Sequence, residues 1–245
     1  MTAMNEEFAH LSRHITNAST RDIGPRTFHE GRIHGADVVL VCARIGKVAA
    51  ATTATALIQS YGVGEILFTG VAGGIAPHVG VGDIVVGKHL VQHDFDIKGL
   101  LGCPRFTIPL LNASHIPACE RLLDTANRAA ESARNDAEYK RALASIVARE
   151  PRIHCGTIAS GDIFVSSPEE KADLVRNLPD LLCVEMEGAA VAQVCAEHNV
   201  PYVVARVISD AANTDAHVDF ATFIESVASL ASEKIVLEFI QQLKR

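Results

Sequence analysis

Runs of consecutive apolar residues, each closed by turn-forming residues, punctuate this chain: Asp37 to Ala43, Glu65 to Gly70, Asp83 to Gly87, Arg152 to Ser160, Leu181 to Met186 and Tyr202 to Ser209. They are rich in Val, Ile and Leu and do not alternate with polar residues, so each predicts a strand of a sheet covered on both faces. Between them the spacing becomes helical over Val48 to Tyr61, parts of Ala118 to Val147, Ser167 to Asn177 and Gly188 to His198. From Asp219 onward Phe220, Phe223, Ile224, Val227, Leu230, Ile235 and Phe239 recur at helical spacing, which gives one face to pack on the sheet. This alternation predicts an α/β layered fold around a central mixed sheet, in one domain spanning 1–245. The charged interval Lys140 to Arg152 reads as a solvated helix end or loop.

Composition narrows the partners. With 245 residues, 48% of them hydrophobic, the chain can bury a full core. Its net charge of -7 leaves no broad basic surface, which disfavours nucleic acid and anionic membranes and makes a small molecule the default ligand. No apolar run approaches the roughly 20 residues of a membrane span, and "MTAMNEEF" lacks the layout of a signal peptide, so the expected location is the cytoplasm. The cysteines, Cys42, Cys103, Cys119, Cys155, Cys183 and Cys195, form no CxxC pair and are expected as buried, reduced thiols.

Chemistry-bearing residues gather at strand ends. In "FTGVAGGIAP", Gly70, Gly73 and Gly74 permit positive φ and close approach of a ligand, or simply a tight turn; the stretch matches neither dinucleotide nor triphosphate motifs. "SGDIFV" presents Phe164, either to stack on a flat ring or to plug the core. "VEMEGAAVAQV" places Glu185 and Glu187 where burial begins, and "ARVISDAANTD" carries Arg206 within a strand and Asp210 just past it. Buried charges are costly unless paired or used, so these residues either converge on one site or form an internal ion pair between Arg206 and a glutamate. The acids of "NEE", Asn5 to Glu7, suit a helix N-terminus. "HDFD", His93 to Asp96, is the one run resembling a metal cluster, and loop hydrogen bonding is favoured over a metal there.

In their order, "AMNEE", "IGKVAAA", "TGVAGGIAP", "VGDIVV", "SGDIFV", "VEMEGAAVAQVC" and "ARVISDAANTDAHVDF" resemble the nucleoside phosphorylase superfamily, and within it the bacterial nucleosidases for 5′-methylthioadenosine and S-adenosylhomocysteine. The resemblance implies a three-layer α/β/α sandwich with a central twisted mixed sheet, a homodimer, no cofactor or metal, and hydrolysis of an adenine N-glycosidic bond in methionine salvage. It casts Asp210 as general acid to the adenine and Glu7 as the group that activates water. Glu187 would hold the ribose hydroxyls, Met186 would pack on the sugar, and Arg206 would help fix the water and carboxylates. Phe164 would stack on adenine while the backbone of Val165 reads its edge. Met4, Ile45 and Phe220 match positions lining the sugar and 5′ group, and Val71, Ala72, Gly73, Glu185 and Ser209 complete the binding set.

Three features depart from that pattern. Only Met1 and Thr2 precede Ala3, so the first strand is truncated, whether by a late start or by loss of the strand, and Glu7 is expected to be loosened. Val71 stands where close relatives carry a serine that helps hold the water. The segment Ile97 to Leu101 is shorter than the loop that covers the partner's 5′ pocket. Two other readings therefore stay open: a phosphorylase using Arg44 and Lys47 for phosphate, and an inactive nucleoside-binding protein.

Overall fold

The computed structural model describes residues 1–212, 223 and 227–243. Helix α1 (Asn5–Ser12) is followed by an antiparallel sheet of β1 (Thr16–Ile23), β2 (Arg26–Ile33) and β3 (Ala36–Leu40), in that order. Then come α2 (Lys47–Tyr61), β4 (Ile66–Gly74), β5 (Ile84–Gln92), α3 (Lys98–Leu101), β6 (Ile116–Pro117), α4 (Glu120–Arg134) and α5 (Ala137–Ala144). The remainder is β7 (Ile153–Ser160), α6 (Pro168–Asn177), β8 (Leu181–Glu185), α7 (Gly188–His198), β9 (Tyr202–Asp210) and α8 (Ser229–Leu243).

The apolar runs form the main sheet, ordered β6-β5-β7-β8-β4-β9. Parallel pairings join β5 to β7, β7 to β8 and β4 to β9, whereas β4 meets β8 antiparallel. The twist accumulates until β5 also pairs antiparallel with β9, Val85 opposite Arg206, so the sheet curls closed. Every residue of β9 is buried, as a continuous apolar run requires. Its Val203, Ala205 and Val207 pack with α4, α5 and α8, while Val204 and Ile208 belong to the core shared with α2 and α7. The predicted α/β/α layering follows from this alternation.

Several expectations change in detail. The helical interval after Ala118 breaks at Asn135, where the Asp136 carboxylate caps α5 by accepting from the Glu138 and Tyr139 amides. The glycines of "TGVAGG" lie inside β4, and none has a positive φ. Of the cysteines, Cys183 and Cys195 are buried, Cys155 is exposed and the others are intermediate, which corrects the expectation of general burial; all are free. Among the described residues no helix is long and apolar enough to cross a membrane. Phe220 and Ile224 lie outside the described residues, while Phe223, Val227, Ile235 and Phe239 are buried as the spacing predicts.

Near its N-terminus the chain forms isolated bridges. Thr2 pairs in parallel with both Cys42 and Thr69, and the Met1 ammonium donates to the Leu67 carbonyl at 2.8 Å. Burial pushes that amine down to about 5. Beside Met1 a cleft of about 780 Å³ opens between β3 and the start of β4, lined in part by Ile33, Leu40, Leu57, Ile66, Phe239 and Ile240.

Candidate active site

The ends of β4, β8 and β9 and the segment after β7 meet around a cavity of about 220 Å³. Its wall holds Met4, Ile45, Val71, Ala72, Gly73, Phe164, Val165, Glu185, Met186, Glu187, Ser209 and Asp210, together with Ala3, Ile163 and Val184. The sequence-predicted set is thereby brought together, apart from three residues. Phe220 lies outside the described residues. Glu7 and Arg206 stand behind the lining, buried to 1% and 0% exposure. The larger cleft beside β3 has none of these acids or Phe164 in its wall.

Arg206 is the structural centre. Its Nε and Nη2 donate to Glu185 Oε2 at 3.1 and 2.5 Å, and Nη1 donates to the Phe68 and Ala205 carbonyls, both at 3.2 Å. The guanidinium also lies over the Phe68 ring, 4.2 Å from its centre. With these donors directed at protein acceptors, Arg206 holds Glu185, the glutamate partner of the ion pair that the sequence left open. Gly70 explains how a guanidinium fits here: a Cβ at that position would stand 3.3 Å from the Arg206 guanidinium carbon. The glycine admits a side chain of the protein itself.

Glu185 passes the order on to the sugar side. It accepts from the Gly188 amide at 2.8 and 3.0 Å, from the Glu187 amide at 3.3 Å and from the Ser160 hydroxyl, so it anchors the N-terminus of α7. Ser160, which sequence reasoning missed, also accepts the Ala189 amide at 2.6 Å. Glu187 is thereby fixed at the strand-to-helix junction, and its Oε1 accepts the Gly46 amide at 2.9 Å, at the N-terminus of α2. Burial, then the Glu185 carboxylate, pushes the Glu187 carboxyl above its ordinary range.

On the opposite wall Asp210 accepts from Ser209 Oγ and from the Ala212 amide, both at 2.8 Å. Gly73 makes room for it: an added Cβ would approach Asp210 Oδ1 to 2.8 Å. Lys171 clamps the neighbouring backbone by donating to the Gly74 and Ala211 carbonyls at 2.9 and 2.7 Å. Phe164 is half-buried in the cavity wall, so it does not plug the core, and Val165 beside it is buried.

Glu7 has a partner on each carboxylate oxygen, where loosening was expected. Its Oε2 accepts the Met4 amide at 3.3 Å and its Oε1 the Ser232 hydroxyl at 2.8 Å. Burial raises its carboxyl to about 7, partly offset by Ser232, Arg206 and the local amides. "HDFD" serves hydrogen bonding, with Asp94 accepting from Lys47 Nζ at 2.5 Å and from the Asp162 amide at 2.9 Å.

Fold and site together define an α/β/α fold with an acid-lined pocket at the ends of its strands. The chain belongs to the phosphorylase superfamily, whose family model matches residues 1–241. It is 38% identical to the 5′-methylthioadenosine/S-adenosylhomocysteine nucleosidase of Anoxybacillus flavithermus over 236 residues, 96% of this chain and 94% of that one. A crystal structure of the corresponding nucleosidase from Colwellia psychrerythraea in complex with adenine matches with TM-score 0.87 and 33% identity, covering 99% of this chain and 93% of the other. The futalosine hydrolase of Helicobacter pylori matches with TM-score 0.84 and 33% identity, over 98% and 95% of the two chains.

Proposed function

We propose that the protein hydrolyses the N-glycosidic bond of 5′-methylthioadenosine and S-adenosylhomocysteine, releasing adenine and the 5-thio-substituted ribose, a salvage step of methionine metabolism in the cytoplasm. The observation that carries this reading is the placement of Asp210, Glu187 and Phe164 around one cavity, in a chain that is closely similar to nucleosidases over its whole length. Cleavage passes through an oxocarbenium-like state, with negative charge growing on the base and positive charge on the sugar. Asp210 protonates the departing adenine at N7. Glu187 holds the ribose hydroxyls and stabilises the sugar cation more strongly than the neutral substrate, which is the condition for raising the rate. Phe164 stacks on the base, and Met186 packs on the sugar.

Glu7 deprotonates the attacking water from behind Ala3 and Met4. Arg206 acts through Glu185 and through its charge on Glu7. Val71 offers no hydroxyl, so the water depends on Glu7 and backbone groups. Ala3, Met4, Ile45 and Ile163 supply an apolar wall suited to a thioether. Ile45 and Ile163 are 57% and 46% exposed there, and Val48, in the first turn of α2, is 77% exposed. A second copy covering this rim makes the protein a homodimer, which light scattering tests.

Phosphate is not the nucleophile in this reading. Lys47 is engaged by Asp94 and Gln92, Arg44 by Asn5, and among the described residues lining the cavity none is Lys or Arg. The deciding experiment measures adenine release from methylthioadenosine, S-adenosylhomocysteine and adenosine, with and without phosphate. Release from the two thio-nucleosides without phosphate is expected; a strict phosphate requirement would replace the reading with a phosphorylase, and binding without turnover with an inactive nucleoside-binding protein.

A further inference from the structure

We propose that Ser232, on the C-terminal helix α8, is a positioning residue for the water-activating carboxylate: its hydroxyl fixes the rotation of Glu7 and holds it as the anion. The inference rests on the nucleosidase reading for the task of Glu7, while the contact itself is geometric.

Hydroxyls within helices tend to donate back to the carbonyl four residues earlier, as those of Thr52, Thr53 and Thr125 do here at 2.8 to 2.9 Å. Ser232 has one proton to give and spends it at 2.8 Å on Glu7 Oε1, 225 residues away in sequence. Both groups are buried, to 0% and 1% exposure, so bulk water is excluded as a substitute donor. Neighbouring residues hold the two helices in register. Glu233, next to Ser232, meets His10 Nδ1 at 3.2 Å and also His14 Nε2. Glu7 and His10, three residues apart on α1, share the side turned to α8, and His14 meets Glu233 from the turn just beyond the helix. Helix α8 therefore grips the first helix through consecutive side chains, one of them on the reacting carboxylate.

The charged group bearing on Glu7 is the Arg206 guanidinium from β9; the Met1 amine, pushed down to about 5 by burial, is neutral at pH 7, with Cys42 beside it. His10, His14 and Glu233 flank the contact along the α1–α8 seam. Burial drives Glu7 toward its neutral, inactive form, and Ser232 opposes that drive. Removing a donor to a buried carboxylate raises its pKa by about one unit. Starting from about 7, that change lowers the anionic fraction at pH 7 about fivefold and leaves the reactivity of the anionic form intact.

The test records kcat/KM against pH for the wild type, Ser232→Ala, Ser232→Thr and Ser232→Cys, with the Glu7 carboxyl followed in parallel by carbon-13 NMR, using Glu7→Gln to assign its signal. The expected result is an acid limb moved up by about one unit in Ser232→Ala, less in Ser232→Cys with its weak donor, and restored in Ser232→Thr. Acid limbs that coincide in all four proteins overturn the proposal, and so does a loss of activity that is equal at every pH. If Ser232→Ala does not fold, the Cys and Thr variants decide by the same criterion. If the wild type releases no adenine, the nucleosidase reading fails by itself. The carboxyl titration then still decides whether Ser232 holds Glu7 as the anion: a shift in Ser232→Ala supports it and an unmoved titration overturns it.

Discussion

Strand β4 begins and ends in opposite surroundings. Near its start, Ile66 and Leu67 border the open cleft beside β3, where burial pushes the chain's terminal amine toward its neutral form. At its end, Gly70 and Gly73 lie against Arg206 and Asp210, where the packing is dense and charges abound. The charged end is the better organised, because the guanidinium of Arg206 and the carboxylate of Glu185 each have several partners. Polar content does not loosen a protein interior; missing partners do.

Variants can break this contrast, in descending order of effect. Asp210→Asn keeps the shape and removes the acid, so adenine release should fall about a thousandfold with an unchanged melting temperature; retained activity would remove Asp210 from the chemistry. Arg206→Met leaves Glu185 buried without its counter-charge and should cost about 3 to 5 kcal/mol in denaturant melts. A loss below 1 kcal/mol would show that the charged end does not depend on pairing.

Glu7→Gln tests the same idea through pH. The folded-state value of the carboxyl, about 7, lies above the ordinary 4.5, so the folded protein binds this proton more tightly than the unfolded chain. Stability from that excess is complete below about pH 4.5 and is lost as pH rises through about 7. The variant should lose activity, and its stability relative to wild type should improve from pH 5 to pH 8 by up to about 3 kcal/mol, measured in urea. In the wild type the same titration predicts kcat/KM rising with pH through about 7. At the quiet extreme, Thr20→Ala on exposed β1 should change stability by no more than about 0.5 kcal/mol.

Legibility in the sequence divides along similar lines. Strands β4, β5, β7, β8 and β9 were visible because strands buried on both faces leave unbroken apolar runs. Strands β1 and β2 were invisible: β1, "TNASTRDI", is almost wholly exposed and carries no hydrophobic signal. The acids at the strand ends could be read as a site, and an Arg206–glutamate ion pair stood beside that reading. Geometry keeps both, with Arg206 on Glu185 while Glu187 faces the cavity. The glycines of β4 were read as turn or ligand-approach positions, since a sequence does not tell which atoms press against a missing Cβ. Ser160 and Ser232 gave no signal, because a serine meets its carboxylate only after the chain has folded back 25 or 225 residues.

The bridge at Thr2 lies between two regions that hydrogen exchange would separate in time. Amides along β9 are enclosed by paired neighbours and are expected to exchange with solvent deuterium only through global unfolding, whereas those of β3 beside the cleft are expected to exchange faster, through local openings. Thr2 stitches the tail of β3 to the middle of β4 at the point where these regimes meet, two residues ahead of the loop that delivers Met4. A very short span of chain therefore joins the edge of the cleft to the wall of the binding cavity, with Thr2 bonded to Val41 and Ala43 and Met4 lining the cavity two residues on.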